Sequence, residues 1–389
     1  MKKNLLKSLL TMCALGAMFT ACSNEGNEAP DVTKGEKKTV FMKLDLRPQT
    51  RATEDKLNPV TTPKVPVNDL YIYFYKQGDG SIQKFLKITS STNPSITDLT
   101  NGVQITEVPV VADKVLVRGN VPTSVTLPTA GLISAIENTK VEITTQNDKN
   151  KILLGHLAAD IQTYNSGGGV APISSMQDGD KYAVIELEPA VARIEFEGLQ
   201  VKNSTIITGF DLEGIYQNNF YKNLKLGDGS SSEMEQYGAD PNNYAENAPN
   251  TLFITANKEK LFDKFAPALS ASSSPLAVSP VGGSNKRWVY HVYANNATDA
   301  NSQLQMIFKL ENLQPSVTIP SPQFLTVRGF KNNSGNIVKL EKGKIYTVSK
   351  TDFEFDENNL TTVPNTNAVG VWLKVTVKPW EVVTVKPNL

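Results

Sequence analysis

Residues 37–56 read KKTVFMKLDLRPQTRATEDK, and the first half of this stretch decides the fold. Val40, Met42, Leu44 and Leu46 alternate with Phe41, Lys43, Asp45 and Arg47, so one set faces an interior and the other faces solvent. Alternation of period two over this length is the pattern of a half-buried β-strand. The second half is polar, carries Pro48 and Arg51, and has the composition of an exposed connector. A well-made strand is thus followed at once by a segment that a protease could enter.

The same pattern recurs along the chain. Segments 69–88, 113–121, 181–189, 192–201, 287–294, 303–311, 323–330 and 344–355 are short, alternating and separated by Gly, Pro, Asn, Asp and Ser. Regular short strands with turn punctuation predict an all-β protein with a minor α component, built as sandwiches. The segment 69–88 reads as a hairpin turning at Gly78-Asp79-Gly80. One helix is expected within 129–140, its apolar face formed by Leu132, Ile133 and Ile136. The Asn-, Gly- and Ser-rich tract 217–250 reads as long surface loops. Pro189 falls between two strong strands and sets the expected junction, giving sandwich domains over 52–190 and 191–368.

With 389 residues the chain is long enough for two cores. Its 39 basic and 39 acidic side chains balance, which argues against a nucleic-acid partner. Residues 1–21 have the layout of a signal peptide, with Lys2 and Lys3 ahead of a short apolar region ending near Phe19. Cys22 follows Phe19-Thr20-Ala21, which resembles a bacterial lipobox, although Leu is usual where Phe19 stands. Lipidation of Cys22 would anchor the precursor in the outer membrane, and 22–51 would comprise a polar tether and the first strand. Cys13 and Cys22 are the two cysteines, so a body beginning after them rests on burial and sheet hydrogen bonds without disulfides.

The chain ends GVWLKVTVKPWEVVTVKPNL, residues 370–389. Val371, Leu373, Val375 and Val377 share one face of a strand, and Trp372, Lys374, Thr376 and Lys378 the other. Beyond Pro379 a second strand carries Trp380, Val382, Val383 and Val385. This tail, 369–389, is too apolar to lie loose in water and has no evident partner in the rest of the sequence.

Catalytic chemistry is hard to find. His156 and His291 both read as structural, no cysteine pair or His/carboxylate spacing suits a metal, and no catalytic residue or cofactor is expected. Trp288, Tyr290 and Tyr293 could instead form a sugar-stacking platform, and two loose carboxylates could serve a hydrolase.

Arginine is scarce, with six against 33 lysines, and two of the six follow the first strand within five residues. Arg47 precedes Pro48, whose fixed φ and missing N–H hinder cutting. Arg51-Ala52 has no such obstacle and is the expected processing site.

The sequence resembles the fimbrillins, the type V pilin family of lipoprotein precursors, over nearly its whole length. The resemblance rests on the lipobox at Cys22, TVFMKLDL followed by Arg51-Ala52, the VARIEFEGLQV strand, KGKIYTV, and the ending WLKVTVKPWEVVTVKPN. It implies two tandem transthyretin-like β-sandwiches. It also implies an arginine-specific surface protease that removes the first strand, and a neighbouring copy whose C-terminal donor strand fills the groove. The expected product is a head-to-tail homopolymer with accessory anchor and tip pilins, an extracellular fimbrium that could contact host glycans or proteins. A tip adhesin of the same family, and a surface glycan-binding lipoprotein, are the alternatives. Four buried side chains of the first strand at roughly 1.5–3 kcal/mol each represent on the order of 6–12 kcal/mol of burial. That rivals the whole stability of a typical domain, about 5–15 kcal/mol.

Overall fold

A computed structural model describes residues 35–45, 65–148, 150–282, 286–297, 299, 301–332, 334–364, 371–379 and 382–384. The opening strand, β1 (Lys37–Asp45), is not an edge. It lies inside a four-stranded sheet, between Lys181–Glu186 and β5 (Val103–Pro109), with Gln162–Thr163 outermost. Opposite it stands a second sheet in the order Glu188–Pro189, Leu154–Gly155, β6 (Lys114–Gly119), β3 (Asp69–Tyr75), β4 (Ile82–Thr89). The strand β2 (Val65–Val67) precedes them. Val40, Met42 and Leu44 of the first sheet share one buried cluster with Leu70, Ile72 and Phe74 of the second, which makes this half a sandwich. β3 and β4 form the hairpin expected at 69–88, and Gly80 takes the left-handed φ of +71° that the turn demands.

The C-terminal half repeats the arrangement. One sheet runs Trp288–Val292, Ala192–Phe196, Lys344–Val348, Thr376–Pro379. The other runs Phe262–Ser270, Gly209–Asn218, Gln305–Gln314, Gln323–Lys331, and both Leu360–Thr361 and Val371–Lys374 pair with the last of these. Between them Phe308 meets Phe196 and Phe353 edge-on, at ring-centroid distances of 5.4 and 4.9 Å.

Three expectations need correction. The helix is shorter than its pattern, Ile133–Glu137, and buries Ile133 and Ile136 while Leu132 is 53% exposed. Leu132 is drawn out of the helix by the hairpin, since it bridges Ser81 and the next N–H, of Ile133, donates to the Gly80 carbonyl at 2.8 Å. The tract 217–250 is not a set of surface loops. It contains the paired strands Phe220–Lys225 and Ser231–Glu235 and buries Phe220, Tyr237 and Tyr244. Its asparagines are structural: Asn218 is fully buried, and its amide donates to Gln305 and accepts from the Tyr237 N–H. The third correction concerns Phe41, which the alternation sends to solvent and which is buried, as described below.

Cross-ties join the halves. Lys140–Glu142 adds antiparallel to Phe220–Lys225. Arg118, on β6, is buried and donates to the carbonyls of Val117, His156, Leu226 and Gly227. Those bonds engage its N–H groups without a carboxylate partner, and burial lowers its pKa to about 10. The Tyr293 hydroxyl donates to the Val141 carbonyl at 2.8 Å, and Lys342 pairs with Glu188 at 3.0 Å.

Candidate assembly site: the first strand and the C-terminal strands

β1 is held along both edges. It runs parallel to Lys181–Glu186 in the register Val40 to Lys181 through Asp45 to Glu186. It runs antiparallel to β5, with Val40 opposite Ile105, Phe41 opposite Gln104 and Met42 opposite Val103. Val40 and Met42 have no exposed surface and Leu44 has 2%. These three are inward by the pleat, as the alternation requires.

The opposite face of β1 is covered too. Phe41 packs with Ile173 and Met176 in a small separate cluster, flanked by Tyr164, Ala171 and Tyr182. The cover is the segment 164–180, folded back on itself by the Tyr164 N–H on the Asp180 carbonyl (2.8 Å) and the Gly179 N–H on the Tyr164 carbonyl (3.0 Å). Ile173 reaches its place because Gly102 has no side chain: a Cβ there would lie 2.7 Å from it. Lys43 donates to the Pro172 carbonyl of the same cover at 3.1 Å. Lys38 donates to the carbonyls of Val110 (3.1 Å) and Ala112 (2.5 Å), and Lys37 pairs with Glu107. Desolvation, helped by the neighbouring Lys181 charge, holds the Lys38 ammonium below its ordinary pKa.

The C-terminal strands lie within their own molecule. Val371–Lys374 runs parallel to Gln323–Lys331, with Trp372 opposite Gly329 and Leu373 opposite Phe330. Thr376–Pro379 runs antiparallel to Lys344–Val348, with Val377 opposite Tyr346. Val382–Thr384 runs parallel to β2, with Val382 opposite Val65 and Val383 opposite Pro66. Leu373 and Val375 are buried and Val371 is half-buried. Trp372 is half-buried on the other side, with the Lys331 ammonium 5.0 Å from its ring centre. The tail therefore has partners at home, because open strand edges of its own chain offer hydrogen bonds to an apolar strand. Among the described residues each of these three strands has a single strand neighbour, whereas β1 has two. Cys22, Leu46, Arg51, Ala52, Trp380 and Val385 lie outside the described residues.

The sugar-stacking platform does not form. Trp288 is 6% exposed, Tyr290 2% and Tyr293 1%, so their ring faces pack the interior. Sequence reading also misses the polar groups buried around them. Glu195, between the apolar Ile194 and Phe196, accepts from Arg193 Nε (2.7 Å) and Arg287 Nη1 (2.8 Å). His291 Nδ1 donates to the Gln146 carbonyl at 2.6 Å, which leaves Nε2 to accept from Arg193 Nη1 at 3.4 Å. Burial, and then the Arg193 charge, lower the His291 pKa to about 3, so the ring is neutral. The available signal was alternation itself: charged residues at every second position of strong strands, opposite a face that proves to be covered. Among the described residues no three His, Cys, Asp or Glu side chains are grouped to hold a metal ion.

Solved structures share this overall fold. Over 89% of this chain and 98% of its own, a fimbrilin (fimA) from Porphyromonas gingivalis matches with a TM-score of 0.54 at 13% identity. A protein from Parabacteroides distasonis, provisionally described as a cell adhesion protein, matches over 91% of this chain and 100% of its own (TM-score 0.52, 15% identity). A Bacteroides eggerthii protein with the same description matches over 90% and 98% (TM-score 0.51, 15% identity). At these identities the likeness is one of fold. No family model and no curated protein matches the chain.

Proposed function

We propose that this protein is a structural, non-catalytic subunit of a cell-surface pilus. It is exported as a lipoprotein anchored through Cys22, cut after Arg51, and polymerised head-to-tail by strand exchange between copies. Its partners are further copies of itself, accessory anchor and tip pilins, and an arginine-specific surface protease. The observation that carries this reading is the position of β1, paired on both edges and buried on both faces, six residues ahead of Arg51 in the sequence.

Removing β1 withdraws Val40, Phe41, Met42 and Leu44 from two packed clusters, about 6–12 kcal/mol of burial. It also leaves the edges of β5 and Lys181–Glu186 unpaired across a strand-wide gap. A strand of like pattern from a second copy satisfies both, as strand addition does elsewhere. The C-terminal strands supply that pattern, and leaving an edge with one neighbour for a slot with two favours the exchange. Because donor and groove lie in different parts of one chain, the contact repeats without closing and gives a filament. The test is N-terminal sequencing of the protein taken from the cell surface, with unheated gels of the same material. A start at Ala52 together with a ladder of multimers is the expected result. Intact, lipidated Cys22 as the sole N-terminus of the multimers overturns it.

A further inference from the structure

We infer that the first tail strand, residues 371–376, replaces β1 in a single register, with Val371 at the position of Val40, and that Trp372 selects that register. The inference rests on the strand-exchange reading and goes beyond it by naming which strand enters and how it is aligned.

The argument starts from what β1 must satisfy. Its positions 40, 42 and 44 face the main core and must be apolar. Position 41 sits under Ile173 and Met176 and calls for a large apolar group. Position 43 reaches out to the Pro172 carbonyl with an ammonium. The groove therefore reads both faces of its occupant, because the segment 164–180 covers the outer one.

Residues 40–46 are VFMKLDL and residues 371–377 are VWLKVTV. In this alignment Val371, Leu373 and Val375 take the core positions of Val40, Met42 and Leu44. Trp372 takes the place of Phe41 and Lys374 that of Lys43. Every demand of the groove is met in order.

Other alignments in the same direction fail on named residues. Moving the strand by two puts Lys374 at position 41, an ammonium under two apolar side chains, at a desolvation cost no partner offsets. Moving it by four puts Pro379 at position 44, where proline cannot donate to a ladder. The second tail strand does no better. With Trp380 at position 41, Glu381 falls on the buried position 42. With Val383 at position 40, Pro387 falls at 44 and Thr384 at 41. Of these same-direction alignments, the one with Val371 at position 40 meets both faces of the groove.

The home site of the strand makes the transfer feasible. Trp372 lies against Gly329, where a Cβ would come within 2.8 Å of the ring, and its strand has one neighbour there. In the groove the indole gains the cover formed by Ile173 and Met176, and the backbone gains two neighbours.

Disulfide trapping reads the register directly. Asp45 is the Cα partner of Glu186, so the alignment places Thr376 of one copy beside Glu186 of the next. Both Thr376 and Glu186 are exposed. Neighbouring strands are about 4.8 Å apart, within disulfide reach, whereas a slip of two residues separates the Cα atoms by about 8 Å. The full chain carrying Thr376→Cys and Glu186→Cys, cut after Arg51 and assembled under mild oxidation, should run as a disulfide-linked ladder. Cys13 and Cys22 precede the cut. Chains carrying Glu186→Cys with Lys374→Cys, Lys378→Cys or Thr384→Cys should assemble without linking. A ladder from any of these three, or fibres of the first pair that do not link, overturns the register. Fibres in which no tail position links to Glu186, even through a long flexible cross-linker, overturn strand exchange itself. Trp372→Asp should slow assembly about tenfold or more and Trp372→Phe should restore it, with the melting of the uncut chain measured alongside. Assembly of Trp372→Asp at the unaltered rate refutes the role given to the indole.

Discussion

If copies assemble by the proposed strand exchange, Met42→Ala separates what β1 does before assembly from what holds the assembled fibre. Met42 has no exposed surface and lies between Val103 on β5 and Ala183 on the strand Lys181–Glu186. Truncating a fully buried Met costs about 2–5 kcal/mol through lost transfer energy and the cavity left behind. At about 2–4 °C per kcal/mol for a domain of this size, the uncut chain should melt about 4–20 °C lower. A loss of about 2 kcal/mol also raises the population with β1 detached about 30-fold, so assembly after the cut should start sooner. The fibre should melt unchanged, because β1 has left it. Calorimetry on the uncut chain and on purified fibres makes the comparison. If Met42→Ala lowers the melting of the fibre as much as that of the uncut chain, β1 is still in its sheet, and the reasoning from vacancy fails.

Gly102 takes φ +92° and its missing Cβ leaves room for Ile173, so Gly102→Ala should cost about 1–3 kcal/mol and lift the cover from Phe41. Faster proteolytic nicking within 164–180 is the readout; an unchanged rate would show that the cover does not depend on that contact. Burial holds His291 near 3 in the fold, against about 6.5 in the unfolded chain. The unfolded chain thus binds the proton first, and stability should fall as pH drops from 6.5 toward 3 and stay level with respect to this group above 6.5. His291→Asn, whose amide can still donate to the Gln146 carbonyl, should flatten that slope in urea titrations at several pH values.

How much of this was legible in the sequence depends on which face of a strand one asks about. The inward residues of β1, the hairpin at 69–88 and the sandwich class all follow from period-two patterning, which reports contact with a core. The same pattern assigns Phe41 to solvent and does not reveal that Glu195 and His291 are buried, since alternation carries no information about what later folds over the outer face. That cover comes from 164–180 and from the loop around Gln146, whose compositions read as ordinary turns. The asparagines of 217–250 misled for a related reason: an amide that satisfies buried backbone looks like a loop residue until its partners are known. The sequence reads the tail as too apolar for water, but open edges at Gln323–Lys331 and Lys344–Val348 are properties of the finished sheets and cannot be read from one segment.

The ties between the halves carry a mechanical consequence. Arg118 grips the turn at Leu226 and Gly227, a shared ladder joins Lys140–Glu142 to Phe220–Lys225, and His291 reaches across to Gln146. Rotating one half away from the other would leave several buried carbonyls bare, a cost that opposes a hinge between them. In a filament of the kind proposed, the compliance would then reside at the seams where one subunit ends and the next begins.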